Sequence, residues 1–345
     1  MSAHSHEKPV GIDTWHRRLG HAGISTIREM SRKGMVEGLS VTGDMNIPGQ
    51  CEDCILGKRA AHPYDEEVIP EEDVLERVHI DMWGSASVRS VGGASYLMVL
   101  VDGGSAMKFG YPLSHKTGEL TLQVFSEFHV AAERVTGKRL LKVQIDGERE
   151  WWNEKWDDYL RRHGITQDPD VTPYAHAQNG VAERAIRTVI QSVRSLLFDA
   201  RLPKSLWAEA ALCAVYVQGP IPSSRHPGVV PLEHWTGRKQ DISHLHPFGC
   251  VAYAQVPAEL VASKLDPRSI KYVLIGYYGH GAYKLFDSAT GAVIKAQNII
   301  FEEGLSHLTL QQPPADFFPE PTQDSPALSL SDPHRVSHPG LPVAP

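Results

Sequence analysis

The 345-residue sequence lacks several features that would each point to a class of protein. It has no apolar run near the ~20 residues needed to cross a bilayer, and its start, MSAHSHEKPV, has no hydrophobic core of a signal peptide. Its four cysteines are too few for a disulfide framework. Its net charge of −7 argues against binding nucleic acid by bulk charge, which depends on clustered Lys and Arg. We therefore expect an intracellular protein with reduced thiols.

The negative charge is concentrated in two segments. Residues 65–76 (DEEVIPEEDVLE) contain seven acidic and no basic residues, which is typical of a solvated linker. Residues 311–345 carry a net charge of −3 and are rich in Pro and Ser, so we expect them to be disordered. The rest of the chain has a net charge of +3. Bulk charge is therefore a poor guide to whether the folded part binds nucleic acid.

Hydrophobic periodicity between these segments predicts an α/β domain with the order β-β-β-α-β-α-β-α, in which helices pack on a mixed sheet. The last helix has Ile186, Val189 and Val193 at helical spacing. A further helix can begin at Pro203, and residues 251–303 are again strand-rich. The predicted strands are 78–82, 96–102, 108–113, 140–146 and one near 165, and the predicted helices are 117–134, 153–163, 182–200 and 203–217.

A first candidate site is formed by His16, His21, Cys51 and Cys54, which have the spacing H-x4-H-x29-C-x2-C. Two imidazoles and two thiolates are the ligand set of a closed tetrahedral zinc site. A unit of about 60 residues is small enough to need a structural metal ion for its stability. The alternative is a chance pair of histidines, among 18 in the chain, beside an unrelated cysteine pair. The C-x2-C spacing favours zinc.

A second candidate site consists of three carboxylates. Asp81 lies within an apolar strand, Asp146 ends the fourth strand, and Glu183 lies in the first turn of the long helix. Taken singly, each has an ordinary structural explanation, as a strand-edge residue, a turn former or a charge that suits a helix N-terminus. Together they can hold two Mg²⁺ or Mn²⁺ ions, which prefer oxygen ligands and can assist an in-line phosphoryl displacement.

Several motifs around these residues resemble the integrase region of copia-type LTR retrotransposon polyproteins. The resemblance runs in order from about residue 15 to residue 303 without large gaps. The motifs are WHRRLGH, CEDCILGKR, HIDMWG, VQIDGERE, AQNGVAERAIRT, LPKSLWAEAA, ISHLHPFGCVAYA and KLDPRSIKYVLIGY.

The resemblance implies an RNase H-like mixed five-stranded sheet with flanking helices. A small helical zinc module would precede this α/β core, and a small β-rich SH3-like domain and a disordered tail would follow it. The implied boundaries are 1–62 for the zinc-binding pre-integrase module, 63–76 for the acidic linker, 77–235 for the catalytic core, 236–305 for the SH3-like domain and 306–345 for the Pro-rich tail.

The resemblance also implies roles for the candidate residues. The structural zinc ligands would be His16, His21, Cys51 and Cys54. The catalytic triad that binds two Mg²⁺ or Mn²⁺ ions would be Asp81, Asp146 and Glu183, and the 36 residues between the last two are close to the family's usual spacing. The implied reaction is 3′-end processing of element cDNA, followed by strand transfer into target DNA.

DNA, both as element cDNA ends and as target, is therefore the expected partner. Candidate DNA contacts are Asn179, Arg184, Arg187, Lys58 and Arg59. A homo-oligomer on DNA is implied because two element ends must be joined together. We further expect an origin in a Gag-Pol polyprotein, no association with membranes, location in a cytoplasmic particle, and entry into the nucleus for integration.

The chain departs from the family pattern beside two of the three carboxylates. It reads GERE at 147–150, AHA at 175–177 and AI at 185–186, where the family usually has other residues. Two alternatives to an active integrase therefore stay open. One is a decayed or co-opted integrase that only binds nucleic acid in a zinc-dependent way. The other is an RNase H-like nuclease that shares the metal site but only hydrolyses.

Overall fold

Three short helices form the N-terminal part of the chain. The structure is a computed structural model and describes residues 10–43, 51–58, 71–145, 154–167, 176–256, 267–279 and 281–306. The helices are α1 (Ile12–Arg18), α2 (Ile24–Lys33) and α3 (Glu52–Lys58). Trp15, Ile27 and Met30 are buried in a core that they share with later helices and with the C-terminal strands. The expectation of a small helical module is therefore confirmed, and its apolar residues pack against the rest of the protein.

A five-stranded mixed sheet follows. Its strands are β1 (Arg77–Gly84), β2 (Tyr96–Asp102), β3 (Lys108–Leu113), β4 (Lys142–Ile145) and β5 (Thr166–Gln167). They lie in the order β3-β2-β1-β4-β5. The first three form the predicted antiparallel meander, whereas β4 is parallel to both β1 and β5. This is the RNase H-like mixed sheet that the resemblance implied.

One face of this sheet is covered by α4 (Gly118–Thr136) and α5 (Glu154–His163). Helix α4 begins where the Thr117 side chain accepts a hydrogen bond from the backbone N–H of Leu120, an N-cap that satisfies one exposed donor. It ends at Gly137, whose φ of +67° suits glycine. Phe125 and Phe128 of α4 pack with Trp156 of α5 in the core between these helices and the sheet.

The other face is covered by α6 (His176–Ala200) and α7 (Trp207–Gln218), which a short 3-10 helix at Lys204–Leu206 connects. Helix α6 begins six residues before the predicted start at residue 182. The apolar spacing found only its buried part, because periodicity marks contact with the core rather than the helix itself. Helix α8 (Pro231–Thr236) places Trp235 in the α4 core.

A second, antiparallel sheet of five strands forms the C-terminal part. The strands are β6 (Cys250–Gln255), β7 (Ser269–Tyr277), β8 (Tyr283–Phe286), β9 (Val293–Ala296) and β10 (Ile299–Ser306), in the order β10-β6-β7-β8-β9. Their apolar side chains join the same core as α1 and α6. The expected small β domain is therefore present. Among the described helices, none has the length and apolar character needed to span a membrane.

The acidic segment differs from its predicted solvated character where the structure describes it. Glu71, Val74 and Leu75 are buried. The Glu71 carboxylate accepts hydrogen bonds from Arg77 and His79 at 2.9 and 3.1 Å, and these compensate its burial. Glu72 and Asp73 are exposed, as a solvated segment predicts, whereas charge composition misjudged Glu71 because it does not show that Arg77, His79 and Arg225 converge on this carboxylate. Residues 59–70, and the predicted tail from 307 onward, lie outside the described residues.

Candidate functional site

The four predicted zinc ligands lie together in the N-terminal module. His16 is in α1, and His21 follows in a turn where Gly20 and His21 have φ of +60° and +61°. This left-handed turn brings the two imidazole rings to 4.8 Å between centroids. Cys51 and Cys54 lie at the start of α3. The potential ligand atoms of all four residues lie within 4.8 Å of one another.

The distances within this cluster fit tetrahedral zinc. In a regular tetrahedron, Zn–N bonds of about 2.05 Å and Zn–S bonds of about 2.3 Å place two nitrogens about 3.3 Å apart and a nitrogen and a sulfur about 3.6 Å apart. His16 Nε2 lies 3.2 Å from His21 Nδ1. The nitrogen–sulfur distances are 3.4 Å to Cys54 from His16, and 3.5 and 3.7 Å to Cys51 and Cys54 from His21. These donors fit a zinc ion.

The non-coordinating nitrogens of both histidines face hydrogen-bond acceptors. His16 Nδ1 lies 2.7 Å from the carbonyl oxygen of Ala22. A proton on Nδ1 leaves the Nε2 lone pair for a metal. His21 Nε2 lies 3.7 Å from Asp199 Oδ2, while its Nδ1 faces the other donors. A hydrogen bond to a carbonyl oxygen therefore orients the His16 ring, and the His21 ring faces a carboxylate just beyond hydrogen-bond distance; both arrangements are of the kind found behind metal-bound histidines.

The electrostatics of the cluster favour a cation. Burial lowers the pKa of His21, but the nearby Asp199 carboxylate and hydrogen bonds with Cys51 and Cys54 raise it, and the net pKa is about 11. The hydrogen bond with His21 lowers the pKa of the Cys51 thiol. A metal ligand must be deprotonated, so a metal ion bound here would displace that proton.

Two of the three predicted catalytic carboxylates lie on elements that contact each other. Asp81 is in the middle of β1, and Glu183 is in α6, which packs against β1. Ile80 belongs to the core beneath α4, so alternation along the strand places Asp81 on the opposite face, toward α6. Its register partner Val99 is buried in the α6 core. Asp146 lies outside the described residues.

The candidate DNA contacts are described only in part. Arg184 and Arg187 are exposed on α6, one and four residues after Glu183, and no described acidic side chain pairs with either. The backbone of α3 includes Lys58, but its side chain is not described. The same holds for Asn179 in α6, and residue 59 lies outside the described residues.

Asp199, which none of the sequence patterns above singled out, approaches the cluster of two histidines and two cysteines from α6. One signal for it was available in the sequence. Asp199 is the penultimate residue of α6, and a carboxylate at the C-terminus of a helix is opposed by the macrodipole unless a cation compensates it. Here Arg17 of α1 supplies that cation, with its Nε 3.0 Å from Asp199 Oδ2.

The fold and the His₂Cys₂ cluster define the chain as a protein with an RNase H-like domain, preceded by a zinc-type helical module and followed by an antiparallel β domain. Comparisons with known families agree with this architecture. The model of the GAG-pre-integrase domain matches residues 2–59. The model of the retroviral polymerase SH3-like domain matches residues 250–314.

The similar curated proteins are plant retrotransposon polyproteins. The chain is 33% identical over 295 residues, or 85% of its length, to the retrovirus-related Pol polyprotein from transposon TNT 1-94 of Nicotiana tabacum. It is 27% identical, over 96% of its length, to that from transposon RE1 of Arabidopsis thaliana. The chain spans 22% and 23% of these relatives, about a fifth of their length. The resemblance to copia-type Pol polyproteins is confirmed.

Among solved structures, the chain is similar to one in the simian T-cell lymphotropic virus intasome in complex with PP2A regulatory subunit B56 gamma. The two chains are 14% identical, with a TM-score of 0.40. The alignment covers 72% of this chain and 84% of the other.

Proposed function

We propose that the chain is a retrotransposon integrase, a polynucleotidyl transferase that trims the 3′ ends of element cDNA and joins them to target DNA. The observation that carries this proposal is the placement of Asp81 on the face of an RNase H-like sheet that α6, the helix of Glu183, covers. The similarity to Pol polyproteins supports it.

The register of the sheet supports including Asp146 in the same site. Strand β4 runs parallel to β1, and Ile145 is the register partner of Ile80. Asp81 comes directly after Ile80 in β1, and Asp146 comes directly after Ile145 in the sequence. Asp81, Asp146 and Glu183 would hold Mg²⁺ or Mn²⁺, which when bound would activate the attacking oxygen and neutralise charge on the scissile phosphate.

The remaining catalytic contribution is positioning. Arg184 and Arg187 are exposed and lack a described acidic partner, so their charge is available for phosphate groups. They lie within about 6 Å of Glu183 along the helix axis, at about 1.5 Å per residue. Holding the DNA at this distance brings the reacting phosphodiester to the carboxylates, which converts an encounter in solution into a reaction within the complex.

The His16, His21, Cys51 and Cys54 cluster would hold a structural zinc ion. Trp15, Ile27 and Met30 belong to the buried core, whereas no described residue of α3 does, and Cys51 and Cys54 join α3 to the two histidines. We therefore expect a chelator to release α3 first. Faster hydrogen exchange at residues 51–58 after metal removal, with slow exchange kept in α2, would support this; equal loss in both would contradict it.

The partners proposed for this activity are element and target DNA and further copies of the chain. A homo-oligomer on DNA would join two element ends, as the integrase reaction requires. The proposal includes the origin of the chain in a longer polyprotein and its action in the nucleus. The domain boundaries given above are part of the same proposal.

The test is a strand-transfer assay with the full chain, a plasmid target and a library of DNA duplexes with randomised terminal base pairs, in Mg²⁺ or Mn²⁺. Sequencing the joined products identifies the recognised end. Asp81→Asn and Glu183→Gln should reduce joining about 100-fold or more, because ligand loss removes several kcal/mol of charge stabilisation. Matched controls are Asp157→Asn and Glu154→Gln, which change exposed residues of α5. Equal joining by Asp81→Asn and the wild type would refute the proposal.

The same assay separates the two alternatives. The altered residues at 147–150 and 185–186 favour a chain that has lost catalysis and keeps only DNA binding. Salt-sensitive DNA binding without nicking or joining under either metal would establish that alternative. Hydrolysed DNA without joined products would instead identify an RNase H-like nuclease.

A further inference from the structure

Asp199 lies at the junction between the zinc cluster and the helix that carries Glu183. It is in the last turn of α6, and its side chain is only 14% exposed. Its two carboxylate oxygens accept hydrogen bonds from Arg17 Nε at 3.0 and 3.1 Å. Oδ2 also lies 3.7 Å from His21 Nε2. The carboxylate thus stands between a cation of α1 and the ring of a candidate zinc ligand.

The position of the proton on the His21 ring decides what the Asp199 carboxylate can do for a bound metal. A neutral imidazole carries one proton, on either Nδ1 or Nε2. His21 Nδ1 faces His16 and both cysteines, so a metal bound there leaves the proton on Nε2, the nitrogen that faces Asp199. A carboxylate behind a metal-bound histidine fixes its tautomer and raises its basicity as a ligand.

A second contact joins the cysteine half of the cluster to the same helix. Ser195 Oγ lies 3.4 Å from the backbone carbonyl oxygen of Asp53, the residue before Cys54, and 3.2 Å from that of Gln191, so its one proton is shared between the two acceptors. Helix α3 packs along α6 in this region. Ser195 and Asp199 are four residues apart and therefore lie on one face of α6. Both halves of the ligand set thus meet α6 within one helical turn.

We propose that Asp199 is a positioning residue for the zinc ligand His21, so that zinc binding is coupled to the docking of His21 and α3 on α6. This inference rests on the proposed zinc site. Its consequence is that the metal stabilises more than its own module. Asp199 is 16 residues from Glu183, about 24 Å along α6, so zinc occupancy would secure the far end of the helix that carries a proposed catalytic carboxylate.

The experiment uses the full chain loaded with zinc and measures the metal content and the rate of zinc transfer to an excess of a chromogenic chelator. Asp199→Asn should release zinc about 10 to 100 times faster, the effect typical of losing a carboxylate behind a metal-bound histidine. Asp199→Glu should restore part of the difference. Arg17→Gln keeps the carboxylate while removing its ion pair, so its release rate should stay within about threefold of the wild type on the same reasoning.

A spectroscopic measurement separates positioning from a general loss of packing. With Co²⁺ in place of zinc, the ligand-field bands of Asp199→Asn should shift because the His21 ring becomes a weaker donor, and those of Arg17→Gln should not. Hydrogen exchange near residue 199 should also slow when zinc is added to the wild type. Far-UV circular dichroism establishes that each variant is folded.

The outcomes distinguish this inference from the zinc proposal. A wild-type chain without bound zinc, or one that keeps zinc after Cys51→Ser, would overturn the zinc site and this inference with it. Zinc held equally tightly by the wild type and Asp199→Asn would leave the zinc site intact and overturn the role of Asp199. Equal acceleration by Asp199→Asn and Arg17→Gln, with unchanged cobalt bands, would reduce Asp199 to a docking contact and also overturn it.

Discussion

Lys284 and Glu209 form a buried ion pair between the C-terminal sheet and the RNase H-like domain, and removing one partner should destabilise the protein strongly. Lys284 lies in β8 and Glu209 in α7, with 2.7 Å between Nζ and Oε2. Their side chains are 1% and 3% exposed. Neither charge can therefore turn to water when its partner is lost.

The expected magnitude follows from that burial. Lys284→Met leaves the Glu209 carboxylate buried without its ammonium partner, which typically costs about 3–5 kcal/mol. For a folded region of this size, that corresponds to a fall in Tm of about 6–20 °C. Replacing both residues by apolar ones, as in Lys284→Met with Glu209→Leu, removes both charges, and in such pairs the combined change is often neutral or stabilising.

Urea unfolding and calorimetry of the two single variants and the double variant test this reasoning. The control is Lys33→Met, which breaks the exposed pair of Lys33 and Glu29 on α2 and should leave Tm unchanged. The double variant should be more stable than either single variant. The reasoning is refuted if Lys284→Met unfolds at the same temperature as the control, or if the double variant loses the sum of the two single losses.

Two further predictions concern stability. Burial raises the pKa of Glu71, but the His79 hydrogen bond and the charge of Arg225 help to lower it to about 2. The ionised carboxylate therefore stabilises the fold above pH 4.5, and this contribution is lost as the pH falls toward 2. Glu71→Gln should cost about 3 kcal/mol at pH 7 and flatten urea stability between pH 4.5 and 2; an unchanged pH profile would contradict this. Gly249 has φ of +85°, and an added Cβ would lie 2.2 Å from that of Ala200, so Gly249→Ala should cost about 2–5 kcal/mol in urea unfolding. Adding Ala200→Gly should restore part of the lost unfolding free energy, because it removes the clashing Cβ. If the double variant is no more stable than Gly249→Ala, the clash with Ala200 is not the cause of the loss.

The cluster of two histidines and two cysteines was predictable because its four donors follow local spacing rules. The intervals H-x4-H and C-x2-C each place two donors within a turn of chain, so residue types alone identify the site. Most strands and helices were predictable for a similar reason, since periodicity records which side chains face the core. The start of α6 was missed because its first residues, 176–181, lack that apolar spacing.

The sequence patterns by themselves determined the mixed α/β class, the four donors near the N-terminus and the presence of a β-rich C-terminal part, and the resemblance to Pol polyproteins implied the RNase H-like type. These properties depend on side chains that are close together along the chain. Only the tertiary structure decided how the parts are joined. Arg17 reaches Asp199 across 182 residues, and Arg18 pairs with Glu303 across 285. No local pattern encodes such a pair, because its energy depends on burial that exists only after the modules have packed together. Glu71 shows the same limit, since its charge indicated a solvated linker, whereas Arg225, 154 residues away, pairs with it in a buried position.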